Sequence, residues 1–250
     1  MTGAEATNRD YYGQLSTGRD DYWRKMAAPR FRVATFLRLL ADDPPASLVD
    51  LGCGNGMLLA EIRERYRSMA LSGVDLSEAQ IEANRAQQPT LGWHATDLDR
   101  PLAMPPELRD RFEAVVASEI IEHVREPRIF LANALQMAAP GRGRLLLSTQ
   151  SGPLRETERR VGHVQHFTAS DMRALLVEAG WEPVRVWNSG FPFHDLSKWY
   201  ANRKPDATMR RFGDERYGMR EDLVCWALRA AFQLNSDRRG AQLFAVARKA

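Results

Sequence analysis

Four acidic residues stand at the ends of four short apolar runs, and their order along the chain suggests a shared site. Asp50 closes Leu48-Val49, Asp75 follows Gly73-Val74, Asp97 comes directly after the run 91–95, and Ser118-Glu119 follow Val115-Val116-Ala117. A carboxylate after a second strand can accept both hydroxyls of a ribose, and one after a third can meet the exocyclic amine of a base. Between the first two acids lies Gly52-Cys53-Gly54-Asn55-Gly56, in which glycines alternate with other residues. Such a turn lets the backbone approach a ligand closely, and the helix that follows offers unpaired N–H groups at its first turn. Adenosine is the simplest ligand that uses all of these groups. A nicotinamide dinucleotide would also use them, but Met57 stands where the G-x-G-x-x-G pattern needs its third glycine.

A second set of residues could move protons. Glu119, Glu122 and His123 are spaced i, i+3, i+4, which puts them on one face if a helical turn begins at Ser118. His163 and His166 lie in Gly162-His163-Val164-Gln165-His166-Phe167-Thr168, and histidine is the natural base near neutral pH.

The elements needed to position these groups alternate regularly. Strands are expected at 48–51, 70–75, 91–95, 112–117, 144–148, 184–187 and 242–247, and helices at 56–68, 77–88, 127–138 and 168–180. Ser77 and Thr168 are N-cap candidates, and Gly180 closes the last of these helices. The implied fold is α/β, with a doubly wound, mostly parallel, Rossmann-like sheet covered on both faces. Apolar spacing from Tyr22 and Trp23 through Leu40 predicts an N-terminal helical cap over 1–45, broken or entered afresh at Pro29. The polar start, with Tyr11 and Tyr12, reads as a frayed arm or an ordering flap. Between the last two strands lies an insertion, 188–241, with a helix expected from Arg220 to Leu234 and a charged segment at 202–216. An excursion this long is expected to cover the site as a lid. Phe191, Phe193, Trp199 and Tyr200 in it, with Trp23, would supply an apolar acceptor pocket. The 250 residues are read as one domain.

Composition excludes several classes. The 35 basic and 32 acidic residues give a net charge of +3 without a basic stripe, so a nucleic-acid partner is not favoured. Cys53 and Cys225 are the only cysteines, which argues against a disulfide framework or a thiolate zinc site. No leader pattern or membrane-length apolar run is present, so the expected location is cytoplasmic.

Val49 to Gly56, Gly73-Val74-Asp75-Leu76-Ser77, Thr96-Asp97-Leu98 and Ala117 to Val124 resemble, in order and spacing, four motifs of the class I S-adenosylmethionine-dependent methyltransferases. The resemblance spans roughly 48–180. It implies a seven-stranded sheet whose last strand is antiparallel, S-adenosylmethionine as cofactor and S-adenosylhomocysteine as product. It also implies Gly52, Cys53, Gly54, Asn55 and Gly56 beside the methionine part, Asp75 on the ribose, and Asp97 and Leu98 at the adenine, with Asp50 and Leu76 also at the cofactor. Ser118 and Glu119 would border the methyl-transfer cavity, and Arg30 would reach the cofactor carboxylate. Glu119-x-x-Glu122-His123 is similar to a segment of ubiquinone-pathway O-methyltransferases and small-RNA 2′-O-methyltransferases, in which it helps hold a divalent ion with a later histidine. His163 or His166 would be that histidine here. The alternative, in which Glu122 and His123 cap or pair within their own turn in a metal-free cavity, is the one preferred on sequence. The expected function is methyl transfer to a small organic acceptor, at a hydroxyl oxygen, in biosynthetic or secondary metabolism. His163, His166, Glu119 and His123 are the catalytic candidates. N- or C-methylation, a metal-assisted RNA 2′-O-methyltransferase and a non-catalytic cofactor-binding module are the competing readings.

Overall fold

The computed structural model describes residues 24–208 and 217–249. Tyr11, Tyr12, Tyr22 and Trp23 lie outside the described residues. Seven strands form one sheet: β1 Ser47–Leu51, β2 Ala70–Asp75, β3 Gly92–Ala95, β4 Ala114–Ser118, β5 Arg144–Gln150, β6 Trp181–Ser189 and β7 Gln242–Lys249. Their order is β3-β2-β1-β4-β5-β7-β6, with β7 antiparallel to both of its neighbours. The chain runs outward from β1 through β2 to β3 and then returns to place β4 on the other side of β1. This reversal opens a crevice at the carboxyl ends of β1 and β4, where open α/β sheets bind ligands.

The central strands are mostly apolar because both of their faces are covered, with polar residues gathered towards their carboxyl ends. Alternate residues of β1 part to opposite sides. Val49 and Leu51 join Val115, Leu145 and Leu147 beneath α4 (Pro127–Met137) and α6 (Ala169–Glu178). Leu48 joins Val116 and Leu146 beneath α1 (Ala27–Ala41), α2 (Met57–Arg65) and α3 (Glu78–Gln87). Local signals fix the helix ends: Ser77 Oγ accepts from Gln80 N, and Thr168 and Asp171 form a capping box. Helix α1 begins two residues before the expected break. Pro29 sits in its first turn, where a missing N–H leaves no hydrogen bond unmade.

The 188–241 insertion holds α7 (Phe193–Arg203), which the sequence pattern did not reveal, and α8 (Met219–Phe232). A short α5 (Glu156–Arg160) after β5 was not expected either. Helix α8 packs on α1: Cys225 lies against Met26, Phe232 meets Phe31 edge to face, and Lys25 pairs with Asp222 at 2.9 Å. The N-terminal cap and the insertion are therefore joined. Among the described residues, no helix is long and apolar enough to cross a membrane.

Candidate active site

The glycine turn is held in shape by β2 as well as by its own Gly56 N to Cys53 O hydrogen bond. Gly52, Gly54 and Gly56 all have left-handed backbones, at φ 68°, 50° and 72°. Gly52 N and Cys53 N donate to Val74 O, and Gly54 N donates to Asp75 Oδ2 at 2.9 Å. Ser77 N takes the other oxygen, Asp75 Oδ1, also at 2.9 Å. Asp75 thus ties the turn to the start of α3, and Asn84 on that helix donates back to Gly54 O. Two glycines are needed for space as well as conformation. A Cβ on Gly52 would lie 2.3 Å from Ile120 Cδ1, and one on Gly56 would lie 2.8 Å from the Trp93 ring. The first contact shows how closely the turn approaches the segment after β4.

The other residues expected at the cofactor fall along the same edge. Asp50 is buried at the end of β1, and burial beside Asp75 pushes its carboxyl up to about 8. Asp75 is itself raised by burial, against the backbone N–H groups that favour its charge. The Cys53 thiol is buried and pushed up by that burial, so only its backbone belongs to the rim. Asn55 Oδ1 accepts from Met57 N, the first residue of α2. Leu76 is exposed beside Asp75. Leu98 is buried in the core, while Asp97 is half-buried and pairs with Arg100 at 3.2 Å.

Arg30, expected at the cofactor carboxylate, has its guanidinium paired with Glu61 of α2. The arginine that α1 brings to the site is Arg32, 7% exposed, which makes no hydrogen bond among the described residues and stands 3.8 Å from Glu119 Oε2. Helical spacing puts Arg32 on the same face as Phe36 and Leu40, both fully buried. That spacing was the available signal.

Beyond Gly52 the chain leaves β4 through Glu119, a non-glycine residue with φ 54°. Its carboxylate does not share a face with Glu122 and His123. Glu119 Oε1 accepts from Gln242 Nε2 at 2.8 Å and Ser148 Oγ at 3.2 Å, and Oε2 accepts from Gln150 Nε2. Ser118 Oγ lies 3.3 Å from Ser148 Oγ. Burial would raise the Glu119 carboxyl, but the Arg32 charge and the two glutamines outweigh it and hold the group below the ordinary carboxylate range. Lys198 of α7 donates to Gln150 Oε1 at 2.7 Å and pairs with Glu158 at 3.3 Å. Arg32, Lys198, Gln150 and Gln242 escaped the sequence reading. For Gln150 the signal was the one used for the acids, a polar residue ending an apolar strand.

Glu122, His123 and His163 converge, with one ligand atom from each within 4.8 Å of the others. Glu122 is fully buried; Thr149 Oγ1 donates to its Oε2 at 2.8 Å, and its Oε1 has no partner. Burial and the charge on Glu119 raise its carboxyl well above the usual range. Burial lowers His123 to about 4, and burial with His123 and His166 nearby lowers His163 to about 2. Both imidazoles are neutral. His166 Nδ1 lies 3.1 Å from Gly152 O, and His166 Nε2 lies 3.0 Å from His163 Nδ1. A carbonyl only accepts, so the proton assigned to His166 is on Nδ1, His163 donates from its own Nδ1, and His163 Nε2 keeps a lone pair.

The expected aromatic pocket is absent from the described part of the insertion. Phe191, Trp199 and Tyr200 are exposed, Trp199 lies under the Arg203 guanidinium at 4.3 Å, and Phe193 packs with Phe31, Phe232 and Phe244. Helix α7 instead turns a polar stripe inward: His194 is buried, Lys198 reaches Gln150, and Asn202 accepts from Thr157.

A doubly wound sheet with a glycine turn and acids at the ends of β1, β2 and the loop after β3 defines a nucleoside-binding α/β enzyme. A family model described as a methyltransferase domain matches residues 22–186, more than half of the chain, and the chain belongs to that family. It is 26% identical over 138 residues to a malonyl-[acyl-carrier protein] O-methyltransferase of Halalkalibacterium halodurans, covering 54% of this chain and 50% of that one. It is 32% identical over 104 residues to a ubiquinone biosynthesis O-methyltransferase of Coxiella burnetii, covering 41% and 42%. The chain thus spans about half the length of the curated relatives it matches. Among solved structures, it resembles the Burkholderia thailandensis 1,6-didemethyltoxoflavin-N1-methyltransferase with bound 1,6-didemethyltoxoflavin and S-adenosylhomocysteine. That similarity has a TM-score of 0.61 at 18% identity, over 98% of this chain and 88% of the other.

Proposed function

We propose that this chain transfers the methyl group of S-adenosylmethionine to a hydroxyl oxygen of a small organic acceptor in biosynthetic or secondary metabolism. The observation that carries the reading is the Gly54–Asp75–Ser77 clamp, which fixes a glycine turn and an acid on one rim beside Ile120 and the β4 end. In this reading the turn holds the methionine part and Asp75 takes the ribose, with exposed Leu76 beside it. Asp97 and the Leu98 backbone meet the adenine, and Arg32 replaces Arg30 as the partner of the cofactor carboxylate. Asp50, near neutral in charge while the site is empty, ionises when a cationic cofactor sits above it.

The sulfonium methyl is already electrophilic, so the chain mainly aligns the acceptor and receives its proton. His163 Nε2 is the proton acceptor, and the His166–Gly152 relay orients it. Glu119, held ionised and fully hydrogen-bonded, acts by positioning Gln150 and Gln242. O-methylation is the outcome named for both curated relatives, and N-methylation, named for the toxoflavin enzyme, is the nearest competitor. The absence of a basic stripe weighs against RNA as acceptor.

One observation favours a divalent cation as well, contrary to the preference drawn from sequence. Glu122 Oε1 is buried without a partner beside two imidazoles kept neutral, the state in which they ligate. Glu122, His123 and His163 would hold the ion, which would supply charge stabilisation to an acceptor oxygen; His163 Nε2 would then be a ligand in place of the proton acceptor of the metal-free reading. Calorimetric titration with magnesium or manganese tests this: heat of binding that Glu122→Gln abolishes supports it, and no heat with either ion removes it. For the function itself, uptake of S-adenosylhomocysteine lost in Asp75→Ala, with labelled methyl appearing in an identifiable small molecule from source-cell extract, is the expected result. No uptake of cofactor or product by the parent chain would end the reading.

A further inference from the structure

We infer that the outer face of α8 is a contact between two copies of this chain, paired antiparallel about a two-fold axis that crosses the helix between Trp226 and Ala227. Large apolar side chains are exposed unevenly over the molecule. Nine of the thirteen found among the described residues fall between Phe191 and Leu234, and five of them, Met219, Leu223, Val224, Trp226 and Leu234, belong to α8 or the turn after it. With exposed Ala227 and Ala230, the spacing 219, 223, 226/227, 230, 234 draws one continuous stripe along the helix. The opposite face is already used, since Cys225, Leu228 and Phe232 lie on α1 and its flanks. A helix that is apolar on two opposite faces has both covered in its working state.

The stripe is complementary to itself. When it is reversed on a two-fold axis at its centre, Met219 faces Leu234 of the second copy, Leu223 faces Ala230, and Trp226 faces Ala227. In two of these three pairs a large side chain meets a small one. This is the i-to-j and j-to-i matching that an isologous contact requires. Antiparallel pairing also sets the helix dipoles in opposition. On one flank of the stripe lie Asp222 in the first turn and Arg229 in the last. Both hold partners in the residues just before α1, through Lys25 for Asp222 and the Arg24 and Lys25 carbonyls for Arg229, so neither charge needs the second copy for its neutralisation. Side chains of this size and exposure present an apolar patch of roughly 700 Å² per copy, more than the largest one of an ordinary monomer, and a contact that buried most of it would reach the scale of specific interfaces. This contact does not depend on which acceptor the site takes.

Sedimentation of the full chain tests it. The expected species at about 100 µM has twice the chain mass of 28.3 kDa and dissociates on dilution. Trp226→Glu and Leu223→Glu should each give a monomer that keeps its circular dichroism melt and its affinity for S-adenosylhomocysteine. Ala227→Trp separates the proposal from mere stickiness: filling the recess opposite Trp226 should break the dimer although it adds apolar surface. A parent chain that stays monomeric at that concentration, as when its own residues or another protein cover the stripe, would overturn the inference. So would an Ala227→Trp variant that associates as well as the parent.

Discussion

The two halves of the site are built differently. On the β1–β3 side the geometry belongs to the backbone: three left-handed glycines, N–H groups directed to one carboxylate, and a helix start. On the β4–β5–β7 side it belongs to side chains drawn from distant parts of the chain. Arg32 comes from α1, Glu119 follows β4, Gln150 ends β5, Lys198 lies in α7 and Gln242 begins β7. A backbone cradle tolerates change in the side chains around it but not in its own conformation. A buried polar network has the opposite sensitivity, because losing one member leaves the others unsatisfied.

The largest effect on ligand affinity expected from this contrast is at Gly52. Gly52→Val forces a β-branched residue to φ 68° and a Cβ onto Ile120, and should weaken S-adenosylhomocysteine binding by about 100-fold, roughly 3 kcal/mol, in calorimetry. Retained affinity would mean that the turn is not the cradle. Next is Arg32→Met, which strands Glu119 as a buried charge and should lower unfolding free energy by about 3–5 kcal/mol in urea titrations. Arg30→Met, losing a more exposed pair, should cost no more than about 1 kcal/mol.

Asp50 sharpens the contrast through pH. Its carboxyl is raised in the fold to about 8, so the stability that goes with its protonated form is complete below the ordinary carboxylate range and is lost as pH rises toward 8. Asp50→Asn does not titrate. Its stability relative to the parent should therefore improve by about 3 kcal/mol between pH 5.5 and 8.5, while its cofactor affinity falls. An unchanged difference between the two pH values would show that Asp50 is ionised throughout. The smallest effect is in the insertion, where Lys198→Met should lower kcat/KM about tenfold and Trp199→Ala should leave it within about twofold. The reverse ranking would restore an aromatic acceptor pocket.

The same contrast explains what could be read from the sequence. Strand ends, the glycine turn and the helix caps are local features, and apolar runs closed by Asp50, Asp75 and Asp97 exposed them directly. The network could not be read in this way, because nothing local tells that Gln242 opens its strand facing Glu119 across 123 residues. Helix α7 was missed because its polarity is inverted. Leu196, Trp199 and Tyr200 point outward, while His194, Lys198 and Asn202 point to the site, so a pattern that assigns apolar residues to the interior gives the wrong side. The resemblance points to Arg30 without regard to helical phase, whereas Arg32 is the arginine in phase with buried Phe36 and Leu40.

Residue 119 serves two demands that few amino acids meet together. Glycine and asparagine accept its left-handed backbone but carry no negative charge, and aspartate is one methylene too short to take up the same contacts with Gln150 and Gln242. Glutamate satisfies the reach at a conformational cost of about 1–2 kcal/mol. Drift at this position is therefore confined from two directions, and a chain that relieved the strain would have to rebuild the anchoring of β5 and β7 at the same time.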